Sequence, residues 1–140
     1  MIAECAQDLF TKVQAITALA SSTGLTVGGK SPDPGMTKVP LPAAWILADE
    51  GETTLPNSDG QVKRQVSALL GYSVMLYVPY ISQSDMITNQ LPLLQKVIHD
   101  VHGTDAPTGE RWQFKRYKLR VANTDRLAYQ ITFLLDSAYL

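Results

Sequence analysis

The stretch QVKRQVSALLGYSVMLYVPY, residues 61–80, decides the architecture. Its even positions are Val62, Arg64, Val66, Ala68, Leu70, Tyr72, Val74, Leu76, Val78 and Tyr80, and only Arg64 among them is neither apolar nor aromatic. Its odd positions include Lys63, Gln65, Ser67, Ser73 and Pro79. Successive side chains of a strand point to opposite faces, so this pattern predicts one strand with one apolar face. The parity is unbroken across Gly71, which marks a bend and not an inserted residue. A strand of this length spans about 65 Å. A compact domain of this size is about 37 Å across. The strand is therefore expected to bend sharply or to project from the body.

Elements are expected on both sides of it. Ile2, Ala6, Leu9, Val13, Ile16 and Ala20 recur at helical spacing, which predicts an amphipathic helix over residues 2–20 ended by Ser21–Gly24. Cys5 borders the stripe and reads as a packed thiol. Residues 21–42 carry Gly28, Gly29, Pro32, Pro34, Gly35, Pro40 and Pro42, a long loop with a short strand at Leu25–Val27. Ala43–Ala48 is a continuous apolar run, expected to be a strand buried on both faces and antiparallel to the long one. Residues 50–60 read as a polar loop.

After the long strand, Ser82 or Ser84 can cap a helix with Asp85 in its first turn. Its expected buried stripe is Ile87, Leu91, Leu94, Ile98 and Val101, kinked near Thr88 by Pro92 and stopped by Gly103. Two strands close the chain, Trp112–Val121 and Leu127–Leu135, the second with odd residues inward, joined by Asn123–Asp125. The reading is a single α+β domain, a mainly antiparallel sheet around a long central strand with helices packed on it.

Composition narrows the function. The hydrophobic fraction of 45% against 18% charged residues indicates a folded domain. A net charge of −1 argues against a dedicated nucleic-acid binder. The single cysteine allows no intrachain disulfide and points to a reducing compartment. The N-terminus, with Glu4 and Asp8 and no early Lys or Arg, does not read as a signal peptide, and no apolar run reaches the ~20 residues of a membrane helix.

GLTVGGKS, residues 24–31, fits a phosphate-binding loop, and AWILADE, residues 44–50, imitates the strand ending in a magnesium-holding acid. Their surroundings argue against a nucleotide-binding enzyme. A helix precedes Gly24, prolines follow Ser31, and no helix opens at the Lys-Ser to hold phosphate. His99 and His102 share a helix face near Asp100 and Asp105. They fit a zinc pair without a third ligand set, or a simple complement to the helix C-terminus. No serine lies in a G-x-S-x-G turn, and no catalytic set, metal or cofactor is expected.

Arg116, Lys118 and Arg120 point one way on their strand, with Tyr117, Leu119 and Val121 the other. The row reads as a solvated edge guarded by charge, a subunit contact, or a wall facing DNA phosphate. Trp112, Phe114 and Tyr117 alongside are able to stack on bases, although Tyr117 points off the basic face. In the early half of the long strand, Val62, Val66 and Ala68 form an apolar row away from the core. With Arg64 they are candidates for a surface that a neighbouring subunit covers.

The layout resembles that of the tail terminator, or tail completion, proteins of long-tailed bacteriophages. The resemblance spans the whole chain. It runs through the N-terminal helix, the proline-rich approach to Pro42-Ala43-Ala44-Trp45, the Gln61–Tyr80 strand, the helix ending His102-Gly103, and two closing strands with a basic approach. It implies a structural virion protein and no enzyme. Such proteins form a homohexameric ring at the head-proximal end of the tail tube, stop tube polymerisation and offer the surface that joins the head. The implied partners are further copies of the chain, the tail tube protein and a head–tail connector or neck protein. DNA passes through the lumen without sequence-specific binding, no membrane is involved, and assembly takes place in the host cytoplasm. Another neck, head–tail joining or minor tail protein is the alternative within the class.

Overall fold

The computed structural model describes residues 1–20, 23–25, 41–53 and 67–139. Helix α1, Ile2–Gln14, opens the chain, and a single 3-10 turn follows at Thr17–Leu19. Strands β1 (Thr23–Leu25), β2 (Ala43–Thr53) and β3 (Ser67–Pro79) come next. The second helical segment consists of α2 (Gln83–Asp85), a π-helical turn (Met86–Gln90) and α3 (Leu91–Val101). Strands β4 (Gln113–Ala122) and β5 (Arg126–Tyr139) complete one five-stranded sheet in the order β1-β2-β3-β5-β4. Every pairing is antiparallel except β1 with β2. This is the expected α+β architecture, with the long strand at its centre.

The parity of β3 places its side chains as the sequence predicts, except that Ala68, expected away from the core, lies within it. Ala68, Leu70, Tyr72, Val74, Leu76 and Val78 all enter the main core, facing α1 and α3. Ile131, Phe133 and Leu135 join them from β5. Residues 61–66 lie outside the described residues. The bulge beside Gly71 belongs to the partner strand, where Asp49 is the extra residue between Ala48↔Tyr72 and Glu50↔Gly71. A Cβ on Gly71 would sit 2.6 Å from the Glu50 Cγ, so the missing side chain admits the glutamate across the ladder. That bulge carries β2 on to Thr53, through residues whose charge reads as loop in the sequence. Burial on both faces holds for Ala43 and Ala44, but Trp45 and Leu47 are half-buried on the outer face, which no helix among the described residues covers.

Helix α1 buries Cys5, Ala6, Leu9 and Val13. It ends earlier than its apolar spacing suggests: Ile16 is extended (φ −72°, ψ 121°), and the following turn puts Leu19 into the core and Ala20 outside. Trp112 fixes α1 to the sheet. Its ring is fully buried, edge-on to Tyr72 at 5.3 Å, and its Nε1 donates to the Asp8 Oδ2 at 2.9 Å. Lys12 donates to both Asp8 oxygens, at 2.7 and 2.6 Å, and to the Asp105 carbonyl at 3.0 Å. Tyr72 donates to the Ile2 carbonyl at 2.9 Å.

Ser82 caps the second helical segment, accepting the Asp85 amide at 3.1 Å. Pro92 has no amide to give, and the chain answers with a π turn instead of a sharp kink. The turn includes Thr88, where the kink was expected. Its wider winding advances the helix phase, so Met86, Gln90, Leu93, Leu94, Val97 and Val101 are buried while Ile87 and Leu91 are exposed. Gly103, at φ +79°, ends the segment.

Candidate assembly surface

The sheet has two unlike faces. The inner face carries the helices. The outer one begins with a small apolar cluster of Ala43, Tyr77 and Ala128, flanked by half-buried Leu41, Trp45, Met75 and Val121. The Trp45 Nε1 has no hydrogen-bond partner among the described residues although the atom is buried. Next to this cluster a polar chain crosses four strands. Arg120 of β4 donates through Nε to the Gln130 Oε1 at 2.6 Å. Gln130 of β5 donates through Nε2 to the Ser73 Oγ at 2.8 Å and to the Asp49 Oδ2 at 3.2 Å. Ser73 of β3 donates to the same Asp49 oxygen at 2.8 Å. Asp49 reaches over Ser73 because the β2 bulge turns it there.

The basic row lies on this outer face. Arg116 pairs in register with Thr132, and Lys118 with Gln130, whose partners on β3 are Ser73 and Met75. Arg120 occupies a second bulge, between Leu119↔Tyr129 and Val121↔Ala128. That extra residue keeps Arg120 over Gln130 and moves Val121 to the outer face, away from Tyr117 and Leu119, where simple alternation had grouped it. Arg116 and Lys118 are exposed and form no ion pair among the described residues. Glu50 and Glu52, at the far side of the same face, are also exposed and form no ion pair among the described residues.

The remaining candidates divide by position. Val62, Arg64 and Val66 lie outside the described residues. Ala68 is 3% exposed within the main core, so it offers nothing to a neighbour, contrary to the expectation that it belongs to an uncovered row. Trp112 is a core plug and is not available to stack on a base. Phe114 is half-buried against Phe133, and Tyr117 is exposed beside Tyr129 at 6.2 Å. The histidines act apart. His102 accepts the Phe114 amide on Nδ1 at 3.0 Å, while His99 lies 3.6 Å from Asp100. Among the described residues no group of three or more His, Cys, Asp and Glu side chains is placed to hold a metal ion. Gly24 and Leu25 of the phosphate-loop string sit within β1, with Gly24 beside Trp45 in a parallel pairing that its short, proline-rich connection did not suggest. Residues 26–31 lie outside the described residues. Among those residues no helix is long and apolar enough to cross a membrane.

Sequence signals for the acidic side existed. Glu50 and Glu52 alternate with Gly51 at strand spacing, but Asp49 and Gly51 disguise them as loop. No family model matches the chain, and no curated protein matches it. Among solved structures, a chain from a structure titled "Virion of native gene transfer agent (GTA) particle" is similar, with a TM-score of 0.59 and 16% sequence identity. The similarity covers 98% of this chain and 97% of that one, so the two share the fold from end to end.

Proposed function

We propose that this chain is a structural virion protein of a phage-type tail, a tail terminator whose copies form a ring, most simply a homohexamer, at the head-proximal end of the tail tube. The observation that carries this reading is the end-to-end fold similarity to a chain of a gene transfer agent virion. The whole-chain resemblance to tail terminators agrees with it in element order. The surfaces also suit such a role. Among the described residues one broad face of the sheet has no helix on it, and charged side chains without ion-pair partners stand on β4 and on the part of β2 that extends beyond β1. In this reading the ring caps the tube protein, offers its other side to a head–tail connector or neck protein, and lets DNA pass without reading its sequence.

Deletion of the gene and electron microscopy of the resulting particles test it. A terminator's loss gives tail tubes of uncontrolled, excessive length that join no heads. Tubes of normal length that fail to join heads would assign the chain to the neck instead. Tails of normal length on intact particles would refute both.

A further inference from the structure

The two edges of the sheet match each other. Among the described residues strand β4 is an edge along its whole length. Strand β2 is covered by β1 only at Ala44, Trp45 and Ile46, so from Leu47 to Thr53 it has no outer neighbour among the described residues. Three successive antiparallel steps separate β2 from β4, so these edges run in opposite directions. A second copy rotated about an axis along the strands therefore presents its β2 antiparallel to this β4, with like faces aligned.

The register can be read off the ladder. Lys118 is level with Met75 of β3, and Arg116 with Ser73. Glu50 is level with Gly71, and Glu52 with Leu69. Both offsets are four residues in the same direction, about 13 Å along the strands. One stagger thus sets Glu50 of the next copy opposite Lys118 and Glu52 opposite Arg116, all on the outer face. On the inner face the same stagger sets Gly51 opposite Tyr117 and Ala48 opposite Leu119. Tyr117 and Leu119 are 54% and 46% exposed, and the two residues that meet them are small. The paired length also stops where β1 begins, since Leu47 falls opposite Val121 and Ile46 opposite Ala122. Charge, size and strand length agree in a single register.

We propose that this chain binds a second copy of itself by adding the Leu47–Thr53 segment of one subunit to the β4 edge of the next, with Lys118–Glu50 and Arg116–Glu52 as cross-strand ion pairs. The contact is head-to-tail, the kind that closes into a ring when the rotation permits. The stagger is what strands tilted against a ring axis require. Opposite charges placed directly across a ladder stabilise it, and like charges weaken it. The inference rests on the reading of the chain as a self-assembling ring subunit, and it specifies which surfaces meet.

A zero-length carbodiimide crosslink, which joins lysine to carboxylate only in contact, tests the register. The wild-type protein, concentrated from a mixture of 14N- and 15N-labelled preparations, and the intact particles are both treated. The expected product is an interchain peptide joining Lys118 to Glu50 or Glu52. Arg116→Glu with Lys118→Glu should lower the association constant by about tenfold or more, and adding Glu50→Lys and Glu52→Lys should restore it. Circular dichroism of each variant checks that the monomer stays folded. Absence of the interchain crosslink from both samples, or association untouched by the reversals, overturns the pairing. A ring seen on the tail without this crosslink would leave the terminator reading standing and remove only this contact. The crosslink in a protein whose deletion leaves tails normal would do the opposite.

Discussion

Replacing Trp112 by phenylalanine tests how the N-terminal helix is fastened to the sheet. The substitution removes the indole N–H that reaches Asp8 and about a third of a fully buried ring, while keeping an aromatic edge near Tyr72. A hydrogen bond to a charged acceptor contributes about 1.5–3 kcal/mol. The lower end applies here, because Asp8 is 25% exposed and keeps Lys12 as a partner. The lost ring atoms and the space they leave cost about 1–2 kcal/mol more. The sum is about 2–4 kcal/mol. For 140 residues, an unfolding entropy of about 2.1 cal/mol/K per residue converts this to a fall of about 7–14 °C in Tm. Asp8→Ala completes a double-mutant cycle, with an expected coupling of about 1–2 kcal/mol. Urea and thermal melts give all four corners. A Trp112→Phe protein melting within about 2 °C of the parent, or a cycle without coupling, would refute the fastening.

Leu76→Ala removes a fully buried side chain where β3 lies between β2 and β5, and should cost about 2–5 kcal/mol in urea unfolding. Alkaline stability follows from Cys5 and Tyr72, whose pKa values are both raised, chiefly by burial. The folded chain holds protons that the unfolded chain releases, so their contribution is complete below the ordinary thiol and phenol values, about 8.5 and 10, and is lost as pH rises through the higher folded values. Between each ordinary value and the higher folded one, stability should fall by up to about 1.4 kcal/mol per pH unit for each group. Cys5→Ala and Tyr72→Phe should each flatten that slope, and urea titrations at a series of alkaline pH values read it directly.

What the sequence made legible was whatever depends on period alone. The two-residue alternation of Ala68 to Val78 is enforced by a core on one side, and it holds residue for residue. The capping serine and the terminating glycine follow from local backbone chemistry, and they too are where the sequence places them. Three of the misreadings come from single inserted residues. A π turn ahead of Pro92 shifted a helical stripe, so Ile87 and Leu91 changed places with Met86 and Gln90. A bulge at Arg120 turned Val121 over, and a bulge at Asp49 prolonged β2 through three acidic residues. An insertion leaves no mark in composition. It changes which face every later residue presents, so the candidate surface was half visible: the basic row could be read from sequence, but its acidic counterpart could not.

The polar chain from Asp49 to Arg120 has a consequence for how the strands find their alignment. Because β3 alternates so regularly, sliding it by two residues past either neighbour would leave every apolar side chain on its proper face. Burial alone therefore penalises such a slip weakly. Asp49, Ser73 and Gln130 share a set of hydrogen bonds across three strands, and Arg120 extends it to a fourth. Slipping β2 against β3 leaves Ser73, which is fully buried, without its acceptor Asp49, and slipping β5 or β4 parts Gln130 from Ser73 or from Arg120. An unmet polar group of that kind costs about 1–3 kcal/mol. The chain of side chains thus works as a vernier on an otherwise repetitive ladder, selecting one alignment among several that the core would accept.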